Sequence, residues 1–393
     1  MWRGFGLRVF LLIAAVCIGA GAWADDPVTV KLKAGEEVLV AKDISDGGTI
    51  YTPVWCGNNA ILFRSGDVTW LLDFTSKKKK RVSSNPDEWP LNCTPDGKWA
   101  FYNRYVAVPN PTYEEYEGTD ENPYTPTIPV MEVYGYEVVT GWRQKFAAAE
   151  SMGSSDELVS PDGKQISLKP GYYSIEAEAG AWPDAVWFSN KAWDTAEHAW
   201  FKDSSGMVAI LWGPGDIGVE FFGKDGRAAT FEAWPDGASI GQLKVDWEKR
   251  IYFTVAGGER EASEGVSYFD ESPALKRCSV KSAGLVCENI LEHEGLGLYE
   301  ILPDGGILFQ VLYEDCIRGV YPGATDGECV IGNRHGQDVY DDVSLISVSP
   351  DKRRLAFVRL KETQRSEGKT GRNDYLQYDI FLIDTACIKE RIS

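Results

Sequence analysis

The chain has 393 residues, with 40 Lys and Arg against 59 Asp and Glu and a formal net charge of −19. Such a balance repels nucleic-acid phosphates and argues against DNA or RNA as a partner. The length is ample for one large domain or two average ones, and the eight cysteines lack the close C-x-x-C pairs of zinc or redox sites.

In chain order, the first element is a processing signal. Arg3 and Arg8, an apolar stretch over residues 9–18 and the small-x-small triplet Ala22-Trp23-Ala24 predict a secretory signal peptide over residues 1–24, cut after Ala24. Cys17 offers a lipoprotein alternative, but Val16 stands where such a site wants a small residue. Removing residues 1–24 takes away two arginines and no acid, which moves the net charge from −19 to −21. No later segment has the 18 or so continuous apolar residues of a membrane span. The expected product is periplasmic or secreted, soluble and monomeric.

Residues 25–45 come next. Val28, Val30, Leu32, Val38, Leu39 and Val40 give them a strand-like pattern, and they are expected to pair with the last repeat and clasp the ends together. From there to residue 393 the chain repeats one unit, a polar turn running into a short apolar strand. Strong turns are Thr94-Pro95-Asp96-Gly97, Ser160-Pro161-Asp162-Gly163, Pro303-Asp304-Gly305 and Ser349-Pro350-Asp351. Weaker ones start at Gly57, Asp203 and Asp246 and precede Ala60-Ile61-Leu62-Phe63, Met207-Val208-Ala209-Ile210-Leu211 and Ile251-Tyr252-Phe253-Thr254. Pro presets the first central position of a type I turn, Asp suits the second, and Gly takes the left-handed position that follows. Most intervals between turns are about 40–45 residues, the length of one four-stranded propeller blade. The segments between turns are rich in β-branched and aromatic residues, so the fold class is all-β.

The last unit, Ser349-Pro350-Asp351-Lys352-Arg353-Arg354-Leu355-Ala356-Phe357 followed by Tyr378-Asp379-Ile380-Phe381-Leu382-Ile383-Asp384, resembles the WD40-like PD40 repeat of the TolB-type β-propellers. Thr94–Phe101 and Ser160–Ile166 match its first half. The resemblance implies a single propeller of four-stranded blades. Six blades are usual in that family; seven units are countable here, so seven are expected, with six as the alternative. It implies little about chemistry, because propellers host many functions.

Function is sought where the repeat is broken. The Pro- and acid-rich insertion at residues 109–129 is too long for an idle turn, and its Tyr113, Tyr116 and Tyr124 are residues of the kind enriched at interfaces. Seven tryptophans crowd residues 182–247; most suit blade packing, while Trp182 and Trp193 lie in turn-like surroundings and are candidate surface contacts. The basic run Lys77-Lys78-Lys79-Lys80-Arg81 is expected to cap an exposed turn after Phe74.

Cys278 with Cys287, and Cys316 with Cys329, are spaced to cross-link hairpins in an oxidising compartment. Cys56 and Cys93 each head a unit and form a further candidate pair, which leaves Cys387 odd. His198, His293 and His335 share no ligand spacing, and Asp338, Asp341 and Asp342 lack the EF-hand pattern, so neither metal nor cofactor is expected. There is no Gly-x-Ser-x-Gly elbow. The leading expectation is a non-catalytic scaffold that binds a protein partner in the bacterial cell envelope. The alternative is a propeller enzyme or binder that takes glycans or small molecules through the axial funnel.

Overall fold

The computed structural model describes residues 37–42, 44, 52–110, 113, 126–149, 158–168, 171–175, 186–187, 194–213, 216–223, 228–235, 239–256, 273–281, 284–293, 296–311, 316–321, 324, 327–332, 343–368, 371–386 and 388. The predicted signal segment therefore lies outside the described residues.

After β1 (Val38–Ala41), the chain lays down one antiparallel meander after another. The first is β2 (Val54–Cys56), β3 (Ala60–Ser65), β4 (Val68–Asp73) and β5 (Lys78–Ser83). The second is β6 (Glu88–Cys93), β7 (Trp99–Pro109), β8 (Thr127–Glu137) and β9 (Arg143–Ala149). A third, smaller sheet holds β10 (Gln165–Leu168), β11 (Gly171–Ser174) and β12 (Val186–Trp187). The fourth is β13 (Asp194–Trp200), β14 (Gly206–Gly213), β15 (Asp216–Gly223) and β16 (Ala228–Pro235). The fifth is β17 (Ser239–Val245), β18 (Ile251–Ala256), β19 (Ala274–Lys281) and β20 (Gly284–Glu292). The sixth is β21 (Leu296–Ile301), β22 (Ile307–Val311), β23 (Cys316–Val320) and β24 (Glu328–Gly332). The last comprises β25 (Val343–Val348), β26 (Arg354–Gly368) and β27 (Gly371–Asp384), with β1 as its fourth strand.

Among the described residues this is a β-propeller with six four-stranded blades, which corrects the expected seven to the alternative count. The third unit falls short because its inner segment is a single bridge, Val159 to Ile166, and not a strand. Its other described strands are only four, four and two residues long.

Two further expectations are corrected. The basic run does not cap a turn, since Lys78–Arg81 lie in β5, the outer strand of the first blade. Lys79 lays its ammonium 4.1 Å from the Trp70 ring centre, and burial lowers its pKa. Such lysines blunt an open sheet edge. The insertion at residues 109–129 is also shorter than expected, because β7 runs to Pro109 and β8 begins at Thr127. Pro129 can pair with Ala107 because β9 reaches only as far as Met131, so no described strand needs an N–H from Pro129 on its other side.

Neighbouring sheets bury their faces against each other, with large aromatics supplying much of the apolar area. Leu62, Leu71 and Val82 of the first blade meet Ala100, Tyr102 and Tyr136 of the second. The seam between the third and fourth sheets also has polar links: buried His198 contacts the Ser167 hydroxyl, and Trp200 Nε1 donates to the Leu158 carbonyl at 3.2 Å. The first and last sheets share a core in which Trp55, Ile61 and Phe63 pack with Ala356, Val358 and Ile380. β1 lies antiparallel to β27, with Val38 opposite Leu382, and the Glu37 carboxylate pairs with the Arg359 guanidinium, which is 2% exposed.

Candidate functional site

Six of the turns that join first and second strands share one geometry. In each, the fourth residue's N–H donates to the first residue's carbonyl: Gly97 to Thr94, Gly163 to Ser160, Ser204 to Phe201, Lys249 to Asp246, Gly305 to Leu302 and Lys352 to Ser349, at 2.8 to 3.1 Å. The fourth residue is left-handed in all six, with φ between 56° and 87°. The polar side chain that opens a turn, where there is one, fastens the strand after it. Thr94 Oγ1 accepts from the Trp99 N–H at 2.9 Å, and Ser160 Oγ from Gln165 at 2.9 Å.

The turns are also linked to one another. The Asp162 N–H donates to Ser204 Oγ, and the Asp351 N–H to Asn58 Oδ1, each at 2.9 Å. Between the first two blades the backbones touch, because a Cβ at Gly97 would stand 3.1 Å from the Cys56 carbonyl oxygen. Gly97 also has φ +70°. Gly97→Ala is expected to cost about 2 kcal/mol; a urea-denaturation difference below about 0.5 kcal/mol would contradict this account.

Superposing the six turns exposes a ring of second-position residues, namely Pro95, Pro161, Lys202, Trp247, Pro303 and Pro350. All six line one or both of two cavities at the centre of the blades. The larger, about 320 Å³, draws wall residues from every unit, including Val54, Leu91, Val159 and Ile346. The smaller, about 50 Å³, lies between the fourth, fifth, sixth and last units. Lys202, Trp247, Glu300 and Lys352 line both. Four ring positions keep the Pro of the repeat; the two that depart, Lys202 and Trp247, stand in successive units.

Trp247 is 62% exposed. The acids around it are engaged by cations. Glu300 meets Lys244 at 2.8 Å, Asp246 meets Arg250 at 2.6 Å and Glu248 meets Arg250 at 3.0 Å. Hydrogen bonds from Lys249 and Ser205 hold the Asp203 carboxyl well below the usual carboxylate range, and Lys249 sits 2.7 Å from it. Burial, reinforced by the Asp246 charge, pushes the Tyr252 hydroxyl up to about 12, so it stays a donor to Asp246 at 3.0 Å. In the larger cavity the carboxylate is Glu300, already paired, and the described lining holds no second carboxylate to complete an acid–base pair.

Among the residues singled out from the sequence, Tyr113 is half-buried and its N–H donates to the Asn110 carbonyl at 3.0 Å. It follows the end of β7 that points away from the Thr94–Gly97 turn, so Tyr113 and Trp247 belong to opposite faces. Tyr116, Tyr124, Trp182 and Trp193 lie outside the described residues, as do Cys387, His335, Asp338, Asp341 and Asp342. The described residues contain no cluster of three His, Cys, Asp or Glu able to hold a metal, and no helix long and apolar enough to cross a membrane. Three disulfides form: Cys278–Cys287 and Cys316–Cys329 across adjacent strands, and Cys56–Cys93 between the first two blades. Sequence reasoning missed Trp247 as a site residue, although setting Glu248 against the third-position Asp of the other turns would have shown it in a proline's place.

No family model and no curated protein matches the chain. Among solved structures it is similar to hydrazine synthase of Kuenenia stuttgartiensis, at 12% identity over 78% of this chain and 92% of that one, with a TM-score of 0.48. Prolyl oligopeptidase B from Galerina marginata matches at 11% identity over 79% of this chain and 47% of that chain, with a TM-score of 0.49. The β-propeller domain of Cps50 (Swd1) from Myceliophteria thermophila matches at 9% identity over 88% and 99%, with a TM-score of 0.48. Two enzymes and a β-propeller domain thus stand side by side, and the propeller assignment rests on the strand pairing itself.

Proposed function

We propose that this chain is an exported, non-catalytic β-propeller that serves as an interaction scaffold in the bacterial cell envelope, with the turn ring around Trp247 as its recognition surface. The observation that carries this reading is the exposed Trp247 beside Lys202 at two positions where the other ring residues are proline. A rigid aromatic on a fixed turn offers contact area at small entropic cost, as interface anchors do. The three disulfides suit an oxidising compartment. Kinship with the TolB-type PD40 propellers belongs to the same reading, supported by six turns of one geometry, and so does β1 as the strand that closes the ring.

The test is capture of envelope proteins on immobilised protein. Trp247→Ala is expected to cut recovery of a specific partner at least ten-fold with thermal stability unchanged, as for an interface anchor worth about 2 kcal/mol. Deleting residues 111–125, with Tyr113, Tyr116 and Tyr124, probes the insertion instead. Loss of the partner there, with full retention by Trp247→Ala, would move recognition to the insertion. A wild-type bait that recovers nothing specific would end the scaffold reading.

A further inference from the structure

Independently of any protein partner, we infer that the rim shared by the first two blades docks on an anionic phospholipid bilayer. Lys77, Lys78, Lys80 and Arg81 meet the head groups, and Val139 and Trp142 enter the interfacial layer. Strand pairing brings these residues to one end of the propeller. Asp73 pairs with Ala60 on one side and Lys78 on the other, and the Phe74 N–H donates to the Asn59 carbonyl at 2.8 Å. Glu137 pairs with Trp99, which puts the β8–β9 connection beside the Thr94–Gly97 turn. Lys80 Nζ donates to the Val138 carbonyl at 3.0 Å and so ties the outer strand of the first blade to that connection.

Residues 73–81 hold five basic side chains, all exposed, and one carboxylate. That carboxylate, Asp73, accepts from the Thr75 N–H at 2.7 Å and the Ser76 hydroxyl at 3.0 Å. Lys79 is laid over Trp70, and Lys80 keeps its charge while donating to a neutral carbonyl. Among the described residues none of the five forms an ion pair. The neighbouring acids Glu137 and Asp96 are offset by Arg143 and Lys98 of the same connections. The chain's net charge of −19 is screened beyond about 8 Å at physiological salt, so the local excess decides at contact. Each Lys or Arg near an anionic bilayer strengthens attachment about five-fold.

The apolar half lies next to this run. Val139 is 64% exposed and Trp142 43%, and Trp142 stands edge-on to Trp99 with ring centres 5.9 Å apart. An edge lysine guards a sheet against pairing, but an exposed valine and tryptophan do not. An indole, apolar with one N–H, suits the head-group layer, where buried apolar area adds to electrostatic attraction. None of these six residues lines either central cavity. Lysine is a point charge on a flexible stem, and a row of them answers a fluid array of head groups better than one fixed carboxylate.

Co-sedimentation of the intact protein with phosphatidylcholine vesicles, with and without phosphatidylglycerol, tests the inference. Binding is expected on the anionic vesicles, at least ten-fold weaker on pure phosphatidylcholine, and lost at high salt. Lys77→Gln, Lys78→Gln and Lys80→Gln together should weaken it at least ten-fold, and Val139→Ser at least two-fold. Trp247→Ala should leave it unchanged, which separates this inference from the partner reading. Equal binding to both vesicle types, wild-type binding by the triple or the Val139→Ser variant, or loss of binding with Trp247→Ala would overturn the proposal. So would capture of soluble polyglutamate with no binding to vesicles, which would assign the patch to an acidic protein. The two vesicle types compared on the wild-type protein decide the matter even if a variant does not fold.

Discussion

Glu37→Ala should destabilise the protein by about 3–5 kcal/mol, the loss typical of removing one partner of a buried ion pair. Arg359 is 2% exposed, and its cation is held by the Glu37 carboxylate, by the Gly332 carbonyl at 3.0 Å and by the faces of Phe357 and Phe381. With Glu37 gone, the guanidinium stays charged in a place where water cannot replace the carboxylate. Because most of the loss is that uncompensated charge, Glu37→Ala combined with Arg359→Met should recover most of it, an apolar side chain then filling the same space. Urea denaturation of wild type, single and double variants measures this. A single-variant loss below about 1 kcal/mol, or a double variant no better than the single, would show that the pair does not hold β1 in place.

Removing the Cys56–Cys93 disulfide by a double Ser substitution should cost about 3–4 kcal/mol, as loop-closure entropy gives for its sequence separation of 37. The hairpin disulfides span separations of only 9 and 13, and each should contribute about 2.5–3 kcal/mol. Position widens the gap. Cys56 and Cys93 join the inner strands of two different blades, at the seam where the Gly57 and Gly97 backbones touch, whereas the other two reinforce strands that are already paired. Chemical denaturation of the three Ser pairs should rank Cys56–Cys93 first; a hairpin pair costing more would refute this ordering.

Much of the architecture was legible because turn chemistry is local. Pro, Asp and Gly dictate a turn from four neighbouring residues, and the strands after Asp96, Asp304 and Asp351 follow as expected. The third unit has the same turn, yet builds shorter strands, since turn residues say nothing about how far a ladder continues. Lys78–Arg81 read as part of a turn because they follow closely on a strand that ends near Phe74. Strand β5 forms there because an outer strand needs only one paired edge and tolerates solvated side chains. The Glu37–Arg359 pair was out of reach, as nothing near either residue announces a partner at the far end of the chain. Trp247 was hidden differently. It sits among seven tryptophans that share a composition signal, and only its position within the turn separates it from buried Trp200.

The pairing of β1 with β27 also dictates an order of events. The first described strand finds its partner only when the last described one has emerged, more than 300 residues later. Contacts of such sequence separation form slowly, because a long loop must close before any reward is gained. Until then Trp55 and Phe63 lack the half of their core that Val358, Ile380 and Leu382 supply. Chains truncated before Gly371 should therefore fold most blades yet leave β1 without its partner, and pulse proteolysis during refolding should find the β1 segment the last to gain protection.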